Sequence, residues 1–247
     1  MMSVTGIPGQ GPVRAGVAIS DITAGLQLAV GILVALHERK RTGRGRYVTT
    51  SLLESMIGML DFQAARFTVA GEVPPQAGND HPTLGPMGMY ATRDGHMNLA
   101  APWGRMWSAL CEILERPELE NDPRFATTND RALNRAALNI ELETALAPRT
   151  TEDWVERMNA VGIPSGPVND LAQTFADPQV KHLGVAAKVT HPGVGEIEII
   201  RNATHLDGVS DEIRRPSPDP GEHTDEVLSE FGLSSDQVKS LREKEII

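Results

Sequence analysis

Gly16-Val17-Ala18-Ile19-Ser20-Asp21-Ile22-Thr23-Ala24-Gly25 decides how the chain is read. Val17 to Ser20 form an apolar approach, and Asp21 stands where a helical repeat begins. Ile22, Leu26, Val30, Leu33 and Leu36 then recur three or four residues apart, the spacing of one helix face. Arg39, Lys40 and Arg41 followed by Gly43 make the expected stop, with cations in the last turn and a glycine just beyond. This pattern predicts a helix opened by Asp21, whose carboxylate caps free N–H groups and is held ionised by the helix dipole. A cap of this kind contributes about 1 kcal/mol. A fixed, ionised carboxylate can also attack a thioester carbonyl and form a covalent intermediate. Read from these residues alone, capping is the commoner role and the nucleophile a candidate.

Outward from this helix, Ser51-Leu52-Leu53-Glu54 has the form of a capping box, predicting a helix to about Ala70, stopped by Gly71. A loop with Pro74, Pro75, Pro82 and Pro86 follows. Met87–Thr92 and His96–Ala100 flank Asp94-Gly95 and predict a hairpin. Helices are expected near 103–115, 129–147, 151–160 and 170–182, with a short extended piece at Ile163–Val168. Val185–Val189 and Glu196–Arg201 alternate like strands around His191-Pro192-Gly193, and two short helices end the chain. The reading is a mixed α/β fold with a compact α+β stretch at roughly 80–185.

The 247 residues carry a net charge of −10, which argues against a nucleic-acid partner and for a soluble, cytoplasmic protein. The apolar run after Asp21 is interrupted by Thr23, Gln27 and His37 and reads as too short and polar to span a membrane. Cys111 is the only cysteine; among Trp107, Leu110, Ile113 and Leu114 it reads as a core residue. His37, His81, His96, His182, His191, His205 and His223 are scattered without metal-ligand spacing, so no metal site is expected. Gly6-Ile7-Pro8-Gly9-Gln10-Gly11 lacks the strand before and helix after that a dinucleotide cradle needs, and reads as a loop. Arg39, Lys40, Arg41, Arg44 and Arg46 read as a solvated helix end rather than a phosphate site.

Taken together, several strings are collinear with one family. Gly16–Gly25, Arg41-Thr42-Gly43-Arg44-Gly45-Arg46 with Ser51–Glu54, Gly162–Asp170, Asp177-Pro178-Gln179 and Gly221–Leu228 cover nearly the whole chain. In these the sequence resembles the class III CoA-transferases, of the formyl-CoA and carnitine-CoA transferase type. The resemblance implies a nucleophilic aspartate, Asp21, that carries CoA between acids through aspartyl anhydride and aspartyl-CoA thioester stages. It implies a substrate loop at Gly78–Gly88, with Gly78, Asn79 and Gly85 as its residues, though without the family's consecutive glycines. It implies acyl-CoA and carboxylic acid as substrates, with no permanently bound cofactor. The implied fold is a partial nucleotide-binding-like large domain (1–80 and 185–247) with an inserted smaller α+β domain (81–184). Family members have a further N-terminal region, so a homodimer or a complex with a separate N-terminal chain is expected.

Two other functions fit less well. An acyl-CoA racemase or epimerase of the same superfamily has consecutive glycines after its aspartate, where this chain has Ile22-Thr23-Ala24-Gly25. A non-catalytic, truncated subunit is the reading in which CoA binding resides elsewhere.

Overall fold

A computed structural model describes residues 1–210 and 212–247. Contacts divide it into two units, Met1–Val168 and Asn169–Ile247.

The first unit opens with a loop and the long helix α1, Ile19–Thr42. Gly43, at φ 70°, ends it by returning its N–H to Arg39 O. That left-handed geometry is one a Cβ would disfavour. α2 (Leu52–Gly58) packs beside α1. There the hydroxyl of Ser55, fully buried, donates to Gln27 Oε1 at 3.1 Å. Ser51 caps α2 by accepting from Glu54 N at 3.1 Å, and its hydroxyl donates to Glu54 Oε2 at 2.6 Å. The single helix expected to Ala70 is in fact two. Asp61 takes φ 48°, a value that breaks helical geometry, and α3 restarts at Phe62–Ala70.

β1 (Met87–Ala91) and β2 (His96–Ala100) form the predicted hairpin, with Ala91 opposite His96. β3 (Ser165–Pro167) adds antiparallel to β2, completing a three-stranded sheet. The turn aspartate does more than turn the chain. Asp94 Oδ1 accepts from Thr151 N (2.8 Å) at the start of α7, Thr151–Ala160. α4 (Gly104–Ile113), α5 (Thr128–Leu133) and α6 (Arg135–Leu146) complete the unit. The helix expected over 129–147 is interrupted at Asn134, whose amide instead donates to Arg124 O and Asp130 O, each at 3.0 Å.

The core lies between sheet and helices: Tyr90, Met97 and Leu99 from the sheet meet Leu110, Leu138, Leu142, Leu146 and Met158. Cys111 belongs to it, 1% exposed, with its thiol pushed up to about 12 by burial. Arg131 is buried with it, 2% exposed. Its guanidinium donates to Gly85 O (3.0 Å), Phe125 O (2.7 Å), Pro102 O (2.8 Å) and Thr128 Oγ1 (3.1 Å). It also lies 4.9 Å from the centre of the Trp107 ring.

α1 is built differently. Only Thr23 and Ala24 are buried along it, while Ile22 (56%), Leu26 (65%), Val30 (61%) and Leu33 (65%) face outward. At 24 residues, with an 18-residue window of mean hydropathy 1.8, it is long and apolar enough to cross a bilayer by length and composition. This corrects the sequence reading that the run is too short and polar. Exposed apolar faces of this size also mark surfaces that another protein segment covers.

In the second unit, α8 (Leu171–Ala176) and α9 (Pro178–Leu183) replace one expected helix. Pro178 cannot continue α8, and Asp177 caps α9 by accepting from Gln179 N (2.7 Å) and Val180 N (3.2 Å). β4 (Ala186–His191) and β5 (Gly195–Ile200) pair antiparallel, and α10 (Thr224–Glu230) and α11 (Ser235–Glu243) follow.

Candidate active site

Asp21 is the third residue of α1, not its cap. The helix begins two residues earlier, and the N-cap is Ala18, which has no side-chain oxygen. The carboxylate therefore closes no N–H of its own helix. It is exposed, and the donor it meets is the Ser20 hydroxyl, 2.9 Å from Oδ2. Its place in the first turn keeps it near the positive end of the helix dipole. The capping role expected from sequence is thus absent, and the exposed carboxylate accepts from the neighbouring Ser20 hydroxyl instead.

The second element is the loop 78–88. The glycine-rich N-terminal loop braces its base: Gly78 N donates to Gly6 O (2.9 Å), and the Gln76 amide donates to Thr5 O (2.6 Å) and Gly11 O (2.7 Å). The loop then closes on itself. His81 N donates to Met87 O (2.8 Å), Met89 N to Asn79 O (3.2 Å), and Asp80 bridges Gly88. Gly88 is required there, because a Cβ would stand 2.6 Å from Asp80 Oδ1 and 2.9 Å from Asn79 O.

Residues of this loop line two clefts. One, of about 510 Å³, lies between Gly78–His81, the β2 residues Asn98–Ala100 and Pro164–Gly166. The other, of about 570 Å³, is more polar and is lined by Arg66, Gln76, Asp80, Arg135, Asn139 and Glu143 among others. Gly78 and Asn79 face both clefts. Gly85 lines neither; it is buried, its carbonyl held by Arg131 and its peptide to Pro86 cis. Asp21 lines neither cleft.

Asp80 was not singled out by sequence, yet it lines both clefts. Both of its oxygens accept from Asn139 Nδ2, at 3.3 and 3.1 Å. Burial pushes its carboxyl above the usual range, and the Asn139 hydrogen bond and the Arg135 charge oppose that only in part. Asn139 Oδ1 is buried with no hydrogen-bond partner. Beside Asp80, burial and then the Arg135 charge lower the pKa of His81. No group of three or more His, Cys, Asp or Glu suited to a metal occurs among the described residues.

The sequence matches the CoA-transferase family III model over residues 1–224. It is 30% identical to human succinyl-CoA:glutarate CoA-transferase over 93% of this chain and 52% of that protein. It is 32% identical to the succinyl-CoA:mesaconate CoA-transferase of Haloarcula marismortui, over 95% of this chain and 59% of that one. Among solved structures, a CaiB/BaiF family protein from Brucella suis matches at TM-score 0.75 and 33% identity, over 93% of this chain and 59% of that one. Rv3272 of Mycobacterium tuberculosis matches at TM-score 0.77 and 26% identity, over 90% and 58%. The chain thus spans between half and three-fifths of the length of these relatives. With the mixed α/β fold and the family match over most of its length, this chain belongs to CoA-transferase family III.

Proposed function

We propose that this chain supplies the nucleophile and part of the acyl site of an enzyme that moves CoA from an acyl-CoA to a carboxylic acid. One observation carries the reading. Asp21 lies in the segment most like the family's active site, and its carboxylate is held at a helix start without serving as a cap.

The chemistry follows from that carboxylate. An Asp21 oxygen adds to the thioester carbonyl of the donor, the C–S bond breaks, and CoA leaves as thiolate, giving a mixed anhydride. The thiolate then attacks the aspartyl carbonyl of the anhydride and releases the donor acid as its carboxylate, leaving an aspartyl-CoA thioester. The acceptor carboxylate attacks this thioester and expels the thiolate again. The thiolate finally takes the acceptor acyl group and frees Asp21. No net proton is consumed, so a carboxylate nucleophile suffices. The acids in the relatives' names, glutarate and mesaconate, are dicarboxylates, and we assign that substrate class here. We place the reaction in the cytoplasm. The exposed face of α1 is covered by a second copy or a separate N-terminal chain in the working enzyme.

The test is covalent. Protein incubated with glutaryl-CoA, together with the N-terminal partner where activity requires it, is trapped with hydroxylamine. The mass change should map to the peptide containing Asp21. Asp21→Asn should fold and lose the adduct and transfer, because an amide is a far poorer nucleophile. Wild-type transfer by the variant, or an adduct on another residue, would show the assignment to be wrong.

A further inference from the structure

The His81 ring is fixed along its Nδ1 edge and on one face. Its Nδ1 accepts from Thr83 N (3.2 Å) and Leu84 N (3.1 Å). One face stacks on Phe62, with ring centres 5.5 Å apart and planes inclined by 16°. A proton on Nδ1 would point at two N–H donors, so the ring carries its proton on Nε2 and resists gaining a second. Burial and the positive charge of Arg135 act in the same direction. Asp80, the acidic neighbour in sequence, has both oxygens on Asn139 Nδ2. His81 is therefore a neutral donor whose Nε2–H meets no partner among the described residues, in the wall of the 510 Å³ cleft. The walls around it combine small or apolar residues, Gly78, Gly88, Leu99, Ala100 and Pro164 among them, with the polar Asn79, Asp80, Asn98 and Ser165.

We propose that His81 Nε2–H is the hydrogen-bond donor to an acyl oxygen, carboxylate or thioester carbonyl, of the acid seated in this cleft. This deepens the transferase reading and rests on it. A neutral imidazole suits that role. It can stabilise negative charge on oxygen without surrendering a proton that would quench a carboxylate nucleophile or a thiolate.

Two substitutions separate ligand binding from loop support. His81→Asn keeps an acceptor near Nδ1 for the Thr83 and Leu84 amides but removes the Nε2–H. His81→Gln keeps a donor near Nε2 but removes that acceptor. Glutarate is titrated into ¹⁵N-labelled protein, with 1,5-pentanediol as the control that lacks carboxylates. Glutarate should move the His81 Nε2 signal and the diol should not. The glutarate Kd should rise about tenfold or more in His81→Asn, the size of one hydrogen bond to a charged group, and change less than about threefold in His81→Gln. Wild-type affinity in His81→Asn, weakening confined to His81→Gln, or no glutarate binding at all overturns the inference. Glutaryl-CoA trapping on the same proteins judges the larger reading. An Asp21 adduct that forms equally well in His81→Asn removes only the role of His81, whereas no adduct in any protein removes the transferase itself.

Discussion

Replacing Arg131 by Met tests what holds the 78–88 loop to its scaffold. The guanidinium reaches three buried main-chain carbonyls, Gly85, Phe125 and Pro102, as well as Thr128 Oγ1, and no carboxylate pairs with it among the described residues. Pro102 O keeps the Thr128 hydroxyl as a donor (2.9 Å), so Gly85 O and Phe125 O are orphaned, each at a cost of about 1–3 kcal/mol. Relief of the buried cation's own desolvation, several kcal/mol, offsets part of that loss. With the ring contact to Trp107 also gone, the net loss is about 3–5 kcal/mol. Set against a whole-domain stability of about 5–15 kcal/mol, this is a large fraction. At a urea slope of about 2 kcal/mol/M it lowers the unfolding midpoint by about 2 M. The three tryptophans, Trp103, Trp107 and Trp154, all lie in Met1–Val168, so their emission follows this unit. Arg131→Lys keeps the charge but not the planar fork, and should lose about half as much. A midpoint within about 0.5 M of wild type for Arg131→Met, or a Lys variant as stable as wild type, would refute the reasoning.

Asp80→Asn should stabilise the first unit by about 1 kcal/mol near pH 7, because the new amide can donate to the unpartnered Asn139 Oδ1. The sign follows from the raised carboxyl. Asp80 favours the folded state when protonated, and that advantage is lost as pH rises from its ordinary value through its raised one. The gain from the substitution should therefore shrink toward pH 4, and paired melts at the two pH values check it; an equal gain at both would contradict the burial argument. The α1 face should drive association. Sedimentation at low micromolar concentration should show species larger than a monomer, and changing Leu26, Val30 and Leu33 together to Gln should abolish them. A wild-type monomer under those conditions would count against a covered face.

The parts of the fold open to sequence reading were those with local chemistry. The hairpin announced itself through Asp94-Gly95, and α7 matched its expected span, 151–160, because Thr150 caps it by accepting from Asp153 N at 3.2 Å. The break at Pro178 was missed, with one helix expected over 170–182, although a proline disfavours helix at the residue before it. The break at Asp61 had no such signal; a non-glycine residue at φ 48° is set by tertiary context. Asp21 was singled out by motif, but it was read as the helix cap, and the cap is Ala18, three residues earlier. The clefts were hidden because they are assembled across the chain. Gly78–His81, Asn98–Ala100 and Pro164–Gly166 meet only through strand pairing, and Asp80 meets Asn139 across 59 positions.

The outward row of Ile22, Leu26, Val30 and Leu33 has a practical side at the bench. A mild non-ionic detergent offers the same apolar contact that a protein cover would. Micelles should coat this helix, hold the chain in solution and compete with any protein segment that packs on the same surface. Purification in detergent would thus preserve the folded units while displacing any partner bound to this face, and detergent choice becomes an experimental variable that decides which species is isolated.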